Sequence, residues 1–251
     1  MTDILLSAFI LSVVLVGIHS YFGLEIIRRG IIFTDLAIGQ MSAVGAAVSL
    51  LFFDGNYLYP ISLAFALVGG YLIAYVTKKA NNVEAFIGLM YALGVSAVYI
   101  ILSKTQHGME EFQKLMAADI LFTPLEEIGK VAVIYSILGV FILYFHHKTK
   151  GFIRDLLFFV TFSITVTSSV KLAGVLVVFA ILVSPSLISL YIGEKMLLAK
   201  AWLIGTLINL IAIILSYNLD FPTGYAIVFC NAFTAVAVAL TSKKMKTIEV
   251  S

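Results

Sequence analysis

KLAGVLVVFAILVSP, residues 171–185, is an almost unbroken apolar stretch, entered through Lys171 and closed by Ser184-Pro185. Eight other stretches resemble it. With it, the apolar segments run approximately over Ile4–Phe22, Ile31–Phe53, Leu58–Thr77, Val83–Ser103, Val131–Phe145, Leu156–Val170, Leu172–Tyr191, Ala201–Tyr217 and Tyr225–Thr241. A helix needs about 20 apolar residues to cross a bilayer, and most of these segments are near that length. The fifth and sixth are shorter, as tilted or neighbour-covered helices are. A membrane barrel would instead show alternating segments of about ten residues. Composition agrees: of 251 residues, 61% are hydrophobic and 12% charged, where a soluble domain carries roughly twice that charge. The fold class is all-α, a polytopic membrane protein with about nine transmembrane helices. The count falls to eight if 156–191 is one helix and a re-entrant piece, rather than two helices parted by a tight turn near Ser168–Lys171. What lies between the segments is short connecting loop, so residues 1–251 read as a single membrane domain.

Alternating the connections between the two sides sorts the basic residues. Arg28, Arg29, Lys78, Lys79, Lys148, Lys150, Arg154, Lys195, Lys200, Lys243, Lys244 and Lys246 fall on one side. Only Lys104, Lys114, Lys130 and Lys171 fall on the other, accompanied by Glu110, Glu111, Asp119, Glu126, Glu127 and Asp220. The positive-inside rule makes the first side cytoplasmic, so the N-terminus is expected outside and the C-terminus in the cytoplasm. No Lys or Arg precedes the first apolar run, which argues against a cleaved signal peptide. The single cysteine, Cys230, excludes an intrachain disulfide and a thiolate metal cluster.

An ionisable group at bilayer depth is costly and normally faces a cavity or a partner. Asp35, in FTDLAIGQMSAVG, is the leading case. It either lines a pathway or caps and neutralises the turn after Arg28-Arg29. Gln40 lies deeper, and interhelical hydrogen bonding is the plain reading for it and for Asn209 and Asn231. Glu84 suits a helix start. Gly39, Ala43 and Ala47, and likewise Gly88, Ala92 and Ser96, form small-residue stripes that read as bundle packing. His107, Met109, Glu110 and Glu111 carry metal-binding atoms, but in a spacing that reads as a solvated loop. His146 and His147 point apart beside Lys148 and make a poor metal site.

Absences discriminate too. The chain has no Gly-x-x-x-x-Gly-Lys-Ser/Thr phosphate loop, no His-Glu-x-x-His and no Gly-x-Ser-x-Gly. It is expected to be no enzyme, to need no cofactor and to bind no nucleic acid. A secondary transporter or channel would want an ion-coordinating site at the midplane, often in repeated broken helices. An intramembrane enzyme would want converging catalytic groups. Neither pattern is visible.

Three stretches together resemble the permease subunits of zinc/manganese/iron ABC importers. They are Arg28-Arg29-Gly30 with Phe33-Thr34-Asp35 and Gly45; Asp119-Ile120-Leu121-Phe122-Thr123, similar to that family's Gly-Asp-Ile-Leu segment; and Val170–Val177 running to Pro185, with Leu219–Gly224 before the last helix. Their order spans almost the whole chain. The resemblance implies a multi-pass permease of the cytoplasmic (inner) membrane, working as a homodimer on two separate cytoplasmic ATPase subunits. An extracytoplasmic binding protein would deliver a divalent metal ion or small metal complex. It also implies that a cytoplasmic turn docks into the ATPase, by position His146–Asp155, where Lys150, Phe152, Ile153 and Arg154 set charge around an apolar anchor.

The family's usual second-helix motif, Asp-Ala-Leu-Ser-His, places two metal ligands four residues apart, nearly on one helical face. Here Gly39 stands four residues after Asp35, and Gln40 five. Gln40 is therefore roughly 140° around the helix from Asp35, and its amide is a poor exchange for imidazole. Asp35 and Gln40 are the candidate pathway residues, without a metal specificity.

Overall fold

The computed structural model describes residues 2–79, 82–105, 110, 120–146 and 148–242. Nine long helices run through the described residues: α1 Thr2–Arg29, α2 Thr34–Phe53, α3 Leu58–Thr77, α4 Val83–Leu102, α5 Leu125–His146, α6 Phe152–Ala173, α7 Val175–Ile192, α8 Leu197–Leu219 and α9 Thr223–Thr241. A single 3-10 turn, Ile120–Phe122, precedes α5. All nine are long and apolar enough to span a membrane. Helices satisfy their own backbone polar groups, which is what hydrocarbon demands.

Several bounds differ from the apolar segments. α1 continues past Phe22 to Arg29, because Glu25 pairs with Arg28 at 3.6 Å and Arg29 at 3.5 Å on the helix surface. α5 begins at Leu125 rather than Val131, its polar first turns tied by Glu126 and Lys130 at 2.6 Å. α6 begins at Phe152 rather than Leu156, so neither α5 nor α6 is short. The expected turn near Ser168–Lys171 is helical instead. Thr165, Ser168 and Ser169 donate their hydroxyls back to the carbonyls of Thr161, Ile164 and Thr165, at 2.9, 2.9 and 2.6 Å. The polar run therefore stays in the helix, as such back-bonding allows. The break falls at Gly174, whose φ of 83° is a conformation that side chains resist.

The chain divides into two compact units, residues 1–32, 119–135 and 172–251, and residues 33–118 and 136–171. In the first, α1 packs on α7 and α8, and α9 packs on the same two helices. Small residues allow close approach. A Cβ on Gly23 would collide with the Leu182 carbonyl and the Ser186 hydroxyl. One on Gly205 would lie 2.7 Å from Val16 and 2.9 Å from the ring of Pro185 inside α7. Polar clasps join the same helices: Trp202 Nε1 donates to the Val13 carbonyl at 3.0 Å, and Asn231 Nδ2 to Asn209 Oδ1 at 2.7 Å. At the α8–α9 corner Asp220 takes a left-handed φ of 53°, and the Ser216 hydroxyl bonds the Phe221 carbonyl and the Thr223 hydroxyl, each at 2.7 Å.

In the second unit α2 lies against α3 and α4. Ala43, Val44 and Ala47 of α2 share a core with Val98 and Leu102 of α4. A Cβ on Gly45 would stand 2.6 Å from Ser62 Cα, which brings the backbones of α2 and α3 into contact. Gly70 of α3 faces Phe159 and Ser163 of α6 in the same way. The α4 face that packs carries Ile87, Met90, Gly94, Val98 and Leu102. Gly88, Ala92 and Ser96 are exposed, so that expected packing stripe does not pack within the chain. Two Lys–Tyr pairs close the C-terminal ends of α3 and α5. Lys79 bonds the Tyr75 hydroxyl, and Lys148 bonds that of Tyr144 at 2.6 Å. Each ammonium also lies over its ring, at 4.4 and 3.8 Å from the centroid.

Candidate functional site

Asp35 owes its position to the corner before it. Gly30, at φ 65°, ends α1; its N–H meets the Ile27 carbonyl at 3.1 Å, and the Ile31 N–H meets that of Ile26 at 3.0 Å. This paired closure lets a helix stop and the chain turn. α2 then starts at Thr34 with Asp35 in its first turn, where a carboxylate suits the positive end of the helix dipole. Glu84, in the first turn of α4, accepts the Phe33 N–H at 3.3 Å and so braces the same corner.

Asp35 is fully buried, and neither carboxylate oxygen has a hydrogen-bond partner among the described residues. The charge-balancing role is answered elsewhere, since Arg28 and Arg29 turn back on Glu25. A buried, unpaired carboxylate costs stability; it is retained where something else is to meet it. Gln40 is also buried, on the part of α2 that faces Gly94 of α4, where a Cβ would lie 2.8 Å from Gln40 Cβ. Among the described residues no three His, Cys, Asp or Glu side chains gather into a metal site. Of the external cluster, His107, Met109 and Glu111 lie outside the described residues, as do Asp119 and His147. Glu110 is exposed.

The other candidates are at the start of α6. Lys150, Ile153 and Arg154 are exposed, Ile153 by 61%. Phe152 is half-buried, with the Lys78 ammonium 5.5 Å from its ring centroid. Phe152 thus ties the segment to the end of α3 and leaves Ile153 and Arg154 facing outward. A feature that sequence reasoning missed is a cavity of about 70 Å³ in the second unit, between α2, α3 and α6. Gly39, Ala43 and Ala46 give it room on α2. Two of the three α2 stripe residues, Gly39 and Ala43, therefore line a cavity. No sequence signal marks it, because its walls come from three helices.

Helices able to cross a membrane make up nearly all of the described chain, and a buried carboxylate and a small, mainly apolar cavity lie among them. In length and composition these helices are those of a multi-pass membrane protein. The model of the ABC 3 transport family matches residues 1–242, and the chain belongs to that family. It is the transmembrane, non-catalytic subunit of an ABC transporter. Among solved structures it is similar to PsaBC from Streptococcus pneumoniae in complex with Fab, at 16% identity and TM-score 0.76, over 96% of this chain and 92% of that one. It is also similar to an ABC transporter described as of metal-chelate type, in an inward-facing conformation. There the identity is 17% and the TM-score 0.68, over 92% of this chain and 84% of that one. At such identities the likeness is one of fold. No curated protein matches the sequence.

Proposed function

We propose that this subunit is the permease of an ABC importer for a divalent metal ion (zinc, manganese or iron) or a small metal complex. Residues 1–251 act as one permease domain in the cytoplasmic membrane, N-terminus outside. Two copies form a homodimer on two cytoplasmic ATPase subunits, and an extracytoplasmic binding protein delivers the cargo. The observation that carries the cargo class is Asp35, buried with both oxygens unpartnered among the described residues, a carboxylate available to a passing cation. Gln40, farther along α2, supplies an amide to the same pathway. Likeness of fold to a metal-chelate type transporter supports the reading. Lys150, Phe152, Ile153 and Arg154 form the coupling contact, with Ile153 as the apolar anchor and the cations around it. ATP-driven closure of the ATPases then opens the pathway alternately to the two sides.

The test is co-purification of the ATPase subunit with this chain, followed by metal uptake in proteoliposomes loaded with ATP. Transport down an ion gradient by the isolated chain, without ATP, would sink the reading.

A further inference from the structure

The C-terminal ends of α3 and α5 and the start of α6 belong to the second unit and carry an excess of positive charge. Residues 78–79 and 148–155 hold five cations against one carboxylate, Asp155. Lys78, Lys79 and Lys148 are exposed, and none of them meets a carboxylate among the described residues. Other helix-end cations do: Arg28 and Arg29 pair with Glu25, and Lys130 with Glu126. Here the ammonium groups lie over aromatic rings instead. Lys78 is 5.5 Å from the centroid of Phe152, Lys79 4.4 Å from that of Tyr75, and Lys148 3.8 Å from that of Tyr144. A ring face attracts a cation without cancelling its charge. The ends of α3 and α5 each contribute about half a negative charge, and the start of α6 about half a positive one. The patch stays cationic.

The Lys78–Phe152 contact joins the end of α3 to the start of α6. Lys148 stands four residues before Phe152, at most about 14 Å along the chain. The three lysines therefore share one end of the unit. Lys79 and Lys148 each reach back four residues, to the hydroxyls of Tyr75 and Tyr144. Both helices end beside these lysines, so back along the helix is toward the bilayer. The surface they reach over is exposed and apolar, with Leu72 and Leu143 beside the two tyrosines. A cation held above exposed apolar surface fits a lipid, phosphate at the ammonium and acyl chain beneath. A protein docking from water would meet Ile153 and Arg154, which face outward.

We infer that Lys78, Lys79 and Lys148 form a binding surface for the headgroup of an anionic phospholipid. The inference rests on the proposed orientation only for the leaflet, which is the cytoplasmic one.

The experiment is lipid retention by the full chain. It is reconstituted in mixed phosphatidylcholine and phosphatidylglycerol vesicles and extracted in mild detergent, and the lipid that stays bound is quantified by mass spectrometry. The wild type should hold phosphatidylglycerol about fivefold above its share of the vesicle, the effect of one lysine at an anionic surface. The triple variant Lys78→Gln, Lys79→Gln, Lys148→Gln should hold it only in proportion. Lys104→Gln, Lys171→Gln, Lys195→Gln removes the same charge from other helix ends and should match the wild type. Circular dichroism confirms that both variants are folded. No enrichment in the wild type, or equal loss in both triple variants, overturns the surface. If enrichment survives in the first triple variant while ATPase co-purification falls, the patch belongs to the ATPase and the inference fails. Lipid retention needs neither ATP nor transport, so its failure leaves the importer reading standing.

Discussion

Gly94 and Gln40 meet backbone to side chain: a methyl on Gly94 would lie 2.8 Å from Gln40 Cβ and 3.3 Å from its carbonyl carbon. α4 thus holds Gln40, the deeper of the two proposed pathway residues, in place by having no side chain there. Gly94→Ala is expected to cost about 1–3 kcal/mol through overpacking and to lower uptake by shifting Gln40. Gly88→Ala, with nothing within 4 Å, should leave both unchanged or gain slightly from helix propensity. Thermal melts and uptake assays on the pair check this.

Asp35→Ala should abolish most transport while assembly and basal ATPase activity stay nearly intact. Asp35→Asn should not destabilise, since it removes a buried charge that has no partner in the described chain. A fall in stability of about 0.3–1 kcal/mol in Asp35→Asn would identify a dipole cap instead. Denaturation and uptake measured on one preparation separate the two roles.

Gln40→His adds an imidazole but not a shared face with Asp35, because the two positions lie roughly 140° apart around the helix. Metal uptake is expected to change little. A clear gain in zinc or manganese transport would show that the helix rotates or unwinds between these residues.

The Asn209–Asn231 clasp joins α8 to α9 through one 2.7 Å bond, with Asn231 also donating to the Ile227 carbonyl at 2.9 Å. Intramembrane hydrogen bonds measured by double-mutant cycles average about 0.6 kcal/mol. Asn209→Ala, Asn231→Ala and the double variant should give a coupling of that order. Transport should survive, because neither residue is among the proposed pathway residues.

Ile153→Asp places a charge on the exposed anchor in the first turn of α6. It should weaken ATPase co-purification severalfold and leave the melting temperature of the free permease unchanged. An equal loss in Val133→Asp, on the exposed face of α5, would make the effect non-specific.

The number of helices was legible because hydrocarbon leaves few alternatives: long uncharged runs must cross as helices. Their ends were not, because apolar length measures the crossing rather than the helix. Glu25 with Arg28 and Arg29, and Glu126 with Lys130, extend α1 and α5 by pairs that hydropathy scores as interruption. The Ser/Thr run of α6 looked like a turn and is helix, since its hydroxyls bond carbonyls one turn back. Asp35 could be singled out by its charge alone. Its lack of a partner among the described residues, the seat of Gln40 against Gly94 and the cavity all depend on which faces meet, which no single segment encodes.

The Lys79–Tyr75 and Lys148–Tyr144 pairs have a consequence for the lipid. An ammonium folded over a tyrosine ring and bonded to its hydroxyl suits the headgroup boundary, where amphipathic rings and snorkelling lysines settle. From Leu58 to Thr77, α3 has 20 residues, about 30 Å of rise, close to the thickness of an ordinary hydrocarbon core. Anchored at that end, the helix has little spare length with which to tilt. Bilayers with much shorter or longer acyl chains would have to deform around it, each ångström of mismatch costing a fraction of a kcal/mol. Acyl-chain length is therefore a variable that any reconstitution of this transporter has to fix.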